Sequence, residues 1–238
     1  MTQTILHKAD TRGYANHGWL QSYHSFSFAD YYNPKRMGFG ALRVINDDTI
    51  APGMGFGTHP HANMEIITIP LKGDLEHRDS MGNGTIIKSG DIQVMSAGTG
   101  IQHSEYNPNR DEQTRLLQIW ALPNKQGVTT RYEQITLKPE DSHNKLTQIL
   151  SPNSSDAGTW IHQDAWFYMG NFETPYTMEY ILKKSGNGVY IFIISGDIEV
   201  EGISLHPSDG IGIWDTEKFA IEIPFSAKIL IMEVPMLT

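Results

Sequence analysis

The sequence predicts an all-β chain made of two tandem β-barrels or sandwiches, and three observations carry that prediction. Short β-branched apolar runs recur along the 238 residues, each bounded by Gly, Asp, Asn or Ser. Runs of about 4–8 residues between such clusters are strands joined by turns. The turn series of the first half returns in the second: Gly73-Asp74-Leu75-Glu76 is matched 123 residues later by Gly196-Asp197-Ile198-Glu199. Between the halves, LPNKQGVTTR carries Pro123, Asn124 and Gly127 and reads as a linker. It places a boundary near residue 125, giving domains 1–125 and 126–238.

Bulk properties exclude several classes of function. Hydrophobic residues make up 39% of the chain, enough for two cores, and there is no Cys, hence no disulfide and no thiolate metal site. A formal net charge of −9 argues against direct nucleic-acid binding, which needs concentrated Lys and Arg. No stretch approaches the ~18 apolar residues of a membrane span, and MTQTILHKADTRGY has no apolar signal region. A cytoplasmic location is expected.

Residues 13–32 are rich in aromatics: Tyr14, Trp19, Tyr23, Phe26, Phe28, Tyr31 and Tyr32. SYHSFSF alternates, with His24, Phe26 and Phe28 opposite Tyr23, Ser25 and Ser27, and reads as a strand with one apolar face. These aromatics are expected in a core, or as the lining for a flat aromatic ligand. Residues 42–45 read as a strand and Asn46-Asp47-Asp48 as the turn after it. His7, His17 and His24 have no ligand-type spacing and are set apart from any site.

Residues 53–107 hold the chemistry. His59 and His61 are spaced i, i+2, as are His103 and Glu105. On a strand that spacing puts both side chains of a pair on one face, roughly 6.6 Å apart. If the two strands are neighbours, three imidazoles and a carboxylate converge on one point and make a metal site. A closed four-coordinate zinc staple is the competing reading of the same set, although structural zinc usually takes Cys ligands. Glu65 shares parity with His61, but a straight strand sets it ~13 Å away. A supporting polar role is therefore expected for it, bonded to a ligand imidazole or to nearby backbone.

After residue 107 the polar PNRDEQTR precedes residues 116–122, LLQIWAL, read as a buried strand closing the first barrel. Residues 151–159, SPNSSDAGT, read as a loop. Applying the 123-residue offset maps His59 onto Leu182 and His61 onto Lys184, and counting along the second motif reaches Glu222. No His-x-His or His-x-Glu follows Glu105, so the second barrel is expected to lack a metal. His143, His162 and His206 are scattered and carry no site.

Two patterns here resemble those of a known superfamily. Gly53, five residues, His59-x-His61, three residues, Glu65 and then Gly73 resembles the first cupin motif. Gly90, five residues, Ser96-x-Gly98, four residues, His103, three residues, Asn107 resembles the second. HPH followed by MSAGTGIQHSEYN, with ANHGWLQSYHSFSFADYYNP and GALRVINDD before it, narrows the resemblance to the pirins. The nearest likeness is to the bacterial pirin-like proteins described as quercetin 2,3-dioxygenases.

The resemblance implies a bicupin fold and one metal ion per chain, held by His59, His61, His103 and Glu105. Iron is the metal it implies first; copper, nickel, manganese and zinc also suit these ligands. It implies a dioxygenase that takes a flavonol such as quercetin together with O2 and releases carbon monoxide. Glu105, the only anionic ligand of the set, is expected to act as catalytic base if a deprotonated substrate oxygen displaces it from the metal. Pirins are also described as metal-dependent transcriptional cofactors, so a regulatory role with a protein partner is the alternative. A metal-dependent isomerase or decarboxylase is a third, because fold does not fix function.

Overall fold

The computed structural model describes residues 1–237, and its strands assemble into two units. Each unit combines a seven-stranded sheet with a four-stranded one. The expected tandem cupin-like units are thus present, as open two-sheet sandwiches of the jelly-roll kind rather than closed barrels. No helix among the described residues is long and apolar enough to cross a membrane.

In the first unit the large sheet runs, in spatial order, Arg131–Thr136, Asp91–Ser96, Glu65–Lys72, Thr114–Ala121, Leu42–Ile50, Leu20–His24, Gly13–Asn16. The small sheet runs Gly55–His61, Ile101–Tyr106, Leu75–Asp79, Gly84–Ile87. Strand membership crosses the expected boundary near residue 125 in both directions. Arg131–Thr136 pairs with Asp91–Ser96 in the first unit, and the N-terminal Gln3–His7 pairs with Gly210–Trp214 in the second. Each unit therefore completes its large sheet with chain from the other side of the linker.

Alternation along the strands explains how the two units differ. Ile67 and Ile69, Ile92 and Val94, and Leu117 and Ile119 face the second unit. There they pack with Tyr190, Phe192, Leu230 and Met232 in one continuous core. The intervening residues of those first-unit strands face the interior of their own sandwich, and several are polar: Thr68, Gln93 and Gln118, all buried. In the second unit the corresponding interior residues are Val189, Ile191, Ile193, Ile229 and Ile231, packed solid. Side-chain period 2 thus builds one filled sandwich and one with a polar interior.

Asn46-Asp47-Asp48 is not the turn that its composition suggested. The strand continues through it from Leu42 to Ile50. Asn46 and Asp48 line the interior cavity, while Asp47 takes a two-pronged ion pair from Arg115, Nε to Oδ1 and Nη2 to Oδ2, both at 2.9 Å. Each of the three polar groups has a partner in the sheet, which overrides turn propensity. SYHSFSF is also shorter as a strand than its alternation suggested: Leu20–His24 ends at His24, and Ser25, Phe26 and Ser27 are all buried beyond it.

Candidate metal centre

The four residues with ligand-type spacing lie on two neighbouring strands. Gly55–His61 is the edge strand of the small sheet, where Pro60 is tolerated. It pairs antiparallel with Ile101–Tyr106, setting His59 opposite His103 and His61 opposite Ile101. The register slips between His103 and Glu105, so Glu105 falls opposite Phe56. Close strand approach requires glycine here: a Cβ on Gly55 would sit 2.2 Å from the Glu105 carbonyl oxygen.

Three imidazoles converge. Ring centroids of His59 and His103 are 4.4 Å apart, and His61 is 4.9 Å from each. One ring nitrogen from each of the three lies within 4.8 Å of the others. Glu105 falls in a second set at that span, with His103 and His77. His103 is the residue common to both sets.

Ring orientation suits metal binding. His59 Nδ1 donates to the Gly57 carbonyl at 2.8 Å, leaving Nε2 as the free donor atom. His103 Nε2 is buried with no hydrogen-bond partner among the described residues. Burial pushes the His61 pKa down to about 4, with the neighbouring His59 adding to the effect. For His103, burial and then His59, His61 and His77 push it down to about 2. Both imidazoles are therefore neutral at pH 7, the form that ligates. Burial raises the pKa of Glu105, while two contacts from Gln118 Nε2, at 3.1 and 3.0 Å, oppose that rise. A buried carboxyl, neutral imidazoles and an unpartnered ring nitrogen form a donor set that fits a cation.

Sequence reasoning overlooked His77. It sits on Leu75–Asp79, opposite Glu105 on the middle strand, and is fully buried. Its Nδ1 lies 3.5 Å from His103 Nδ1, and its Nε2 lies 3.5 Å from Asp79 Oδ2. Asp79 is itself held by Asn83 Nδ2 at 2.7 Å. The available signal was parity, because Leu75 and His77 share a face and Leu75 is buried.

Glu65 stands apart from these groups. Asn63, at φ 49, ends the run from His61, and Glu65 starts a strand of the other sheet. Its alternation partners Ile67 and Ile69 face the second unit, so Glu65 points away from the imidazoles. Its Oε2 accepts from Ser96 Oγ at 2.6 Å and its carboxyl also bonds the backbone of His162, so the expected backbone partner is present and the imidazole partner is not.

A cavity of about 670 Å³ opens onto His59, His61 and Glu105. Trp19, Phe28, Tyr31, Phe56 and Trp120 supply its apolar walls. The early aromatics thus divide: Trp19, Phe28 and Tyr31 line the cavity, Phe26 joins the core between the units, and Tyr32 is exposed. His17 and His24, set apart on spacing alone, also line the cavity. The second unit offers no equivalent. Glu222 is exposed, and the inward positions of its small sheet are Tyr180, Phe219 and Ile221. No group of potential metal ligands was found there among the described residues.

The chain is similar to known proteins along nearly its whole length. The family model named Pirin matches residues 6–121, and that of the quercetinase C-terminal cupin domain matches residues 148–234. A quercetin 2,3-dioxygenase of Escherichia coli K12 is 45% identical over 231 residues, covering 97% of this chain and 98% of that one. A pirin-like protein of Caulobacter vibrioides is 40% identical over 225 residues, 94% and 96% of the two chains. The crystal structure of the Escherichia coli pirin YhhW in complex with nickel(II) superposes with a TM-score of 0.94 at 42% identity, covering 99% of this chain and 100% of that one.

Proposed function

Since the chain belongs to the pirin family, we propose that it is a metal-dependent dioxygenase that opens a flavonol such as quercetin with O2. The observation that carries this reading is the aromatic-walled cavity ending on His59, His61 and Glu105. His59, His61, His103 and Glu105 would hold one metal ion. Iron is what the resemblance implies, and nickel is bound by the Escherichia coli relative. When bound, the metal would supply Lewis acidity toward a substrate oxygen and the redox chemistry that O2 requires.

The remaining chemistry belongs to the chain. Trp19, Phe56 and Trp120 give flat apolar contact to an aromatic substrate and keep water from its rings. Glu105 takes the proton of the substrate hydroxyl as general base, and Gln118 orients its carboxylate from the large sheet across the interior. Gln118 is itself fixed, since its Oε1 accepts from Thr68 Oγ1 at 2.9 Å. In the overall reaction both atoms of O2 enter the ring-opened ester, and one ring carbon leaves as carbon monoxide.

The test is anaerobic reconstitution with each candidate metal, followed by O2 uptake on a panel of flavonols. Uptake matched by carbon monoxide release supports the reading. A metal-loaded protein that consumes no O2 with any flavonol contradicts it and favours the regulatory alternative.

A further inference from the structure

Ser22, His24, Asn46 and Asp48 are buried polar side chains of the cavity with no part in the proposed metal set. They sit on the antiparallel pair Leu20–His24 and Leu42–Ile50, with Ser22 opposite Asp48 and His24 opposite Asn46. Directly opposed residues share a face, so all four project to the cavity side of the sheet. They form one hydrogen-bonded array. His24 Nδ1 donates to Asn46 Oδ1 at 2.8 Å and lies 3.3 Å from Ser22 Oγ, and Ser22 Oγ donates to Asp48 Oδ1.

Asp48 is the unfinished member. It is 4% exposed, yet its Oδ2 has no hydrogen-bond partner among the described residues. No cationic side chain reaches it: Arg115 and Arg12 engage the neighbouring Asp47 instead. Oδ2 is not sealed off as His103 Nε2 is, so water or a ligand in the cavity that Asp48 lines can complete it. Glu105, the other buried carboxyl lining the cavity, already has both oxygens engaged by Gln118.

We propose that Asp48, oriented by Ser22, is a second anchoring point of the cavity, binding a substrate hydroxyl that does not sit on the metal. The proposal rests on the reading of the cavity as a site for a flat hydroxylated aromatic. It narrows the substrate class to aromatics with at least two oxygen groups, one for the metal and one for Asp48. Asp48 is then a specificity-determining residue, because a site built to bond a hydroxyl rejects the analogue lacking it.

Electrostatics fit this role. Burial pushes the Asp48 pKa up to about 7; the Ser22 bond opposes the shift, and Glu105 and Asp47 add to it. Near neutral pH Asp48 therefore exists both as an acid that donates and as a carboxylate that accepts. His24, across Ser22, has its own pKa lowered chiefly by burial and is neutral in that range.

The experiment compares quercetin with 3-hydroxyflavone, which keeps the 3-hydroxyl and 4-keto oxygens and lacks the other ring hydroxyls. Binding to metal-loaded protein is measured by calorimetry without O2, so that no ligand is consumed. Wild-type protein should favour quercetin by about tenfold or more. Asp48→Ala should lose that preference while 3-hydroxyflavone binding stays within about twofold. Metal content and melting temperature show whether the variant is intact. Should Asp48→Ala fail to fold, Asp48→Asn keeps the shape, and its preference should persist without the pH dependence expected of wild type between about pH 6 and 8.

A wild-type protein that does not prefer quercetin overturns the proposal. So does Asp48→Ala weakening both ligands alike, or Asp48→Asn retaining the wild-type pH dependence. Failure of the dioxygenase reading is separate: O2 uptake would be absent while the binding preference remained.

Discussion

His77 Nδ1 lies 3.5 Å from His103 Nδ1, a contact that becomes a hydrogen bond when one of the two nitrogens carries a proton and the other does not. The Asp79 carboxylate beside His77 Nε2 draws the His77 proton to that side. His77 Nδ1 is then the acceptor, His103 Nδ1 the donor, and the lone pair of His103 lies on Nε2. That is the nitrogen left buried without a partner. The chain Asp79–His77–His103 therefore presents His103 to a metal in the ligating tautomer.

Replacing His77 by Phe should keep the ring volume and remove the acceptor. Metal affinity should fall by about 10–100-fold, the usual effect of losing an outer partner of a ligating imidazole. Competition titration against a chelator reads this directly. Affinity equal to wild type would show that the His77 contact does not orient His103.

Glu65 predicts a pH dependence of stability. Burial pushes its pKa up to about 7, partly offset by the Ser96 bond and by Arg131. Between about pH 4.5 and 7 the folded chain holds a proton at Glu65 that the unfolded chain has released. Stability from this group is therefore fully present below about pH 4.5 and is lost as pH rises through about 7. Glu65→Gln removes that titration, so the variant should be more stable than wild type at pH 8, by up to about 3 kcal/mol. Urea unfolding at pH 5 and 8 checks it, and an unchanged slope between those pH values would contradict it. Asp48, also raised to about 7, should keep part of the slope in the variant.

The core between the large sheets predicts that the two units unfold together. Phe192 is fully buried there, packed among residues of both units. Phe192→Ala should cost about 3–5 kcal/mol. Because each large sheet also takes a strand from across the linker, the loss should appear in one cooperative transition. Two separate calorimetric transitions would contradict this account of the interface.

Much of this architecture was readable in the chain, for identifiable reasons. Period-2 pairs such as His59/His61 and His103/Glu105 survive as one-face pairs because strands keep their parity. The absence of ligand pairs after Glu105 matches the apolar interior built from Ile191, Ile193 and Ile231. What escaped depends on long-range pairing. His77 stands alone in sequence and meets His103 only through register. Asp48 lay hidden in a run with turn composition because its partner Ser22 is 26 residues away. Glu65 kept its parity with His61 on paper, but the turn at Asn63 moved it to another sheet.

Glu105→Gln is the most direct test of the proposed metal centre and its chemistry. The amide keeps the shape beside Gln118 and removes the anionic ligand and the base. Metal content, melting temperature and flavonol-dependent O2 uptake should be measured on the one variant. The expected result is much of the metal retained, with turnover reduced by about 10²–10⁴-fold. Full O2 uptake with the metal bound would contradict the base role. A lowered melting temperature with turnover per bound metal unchanged would instead mark the ion as a structural staple.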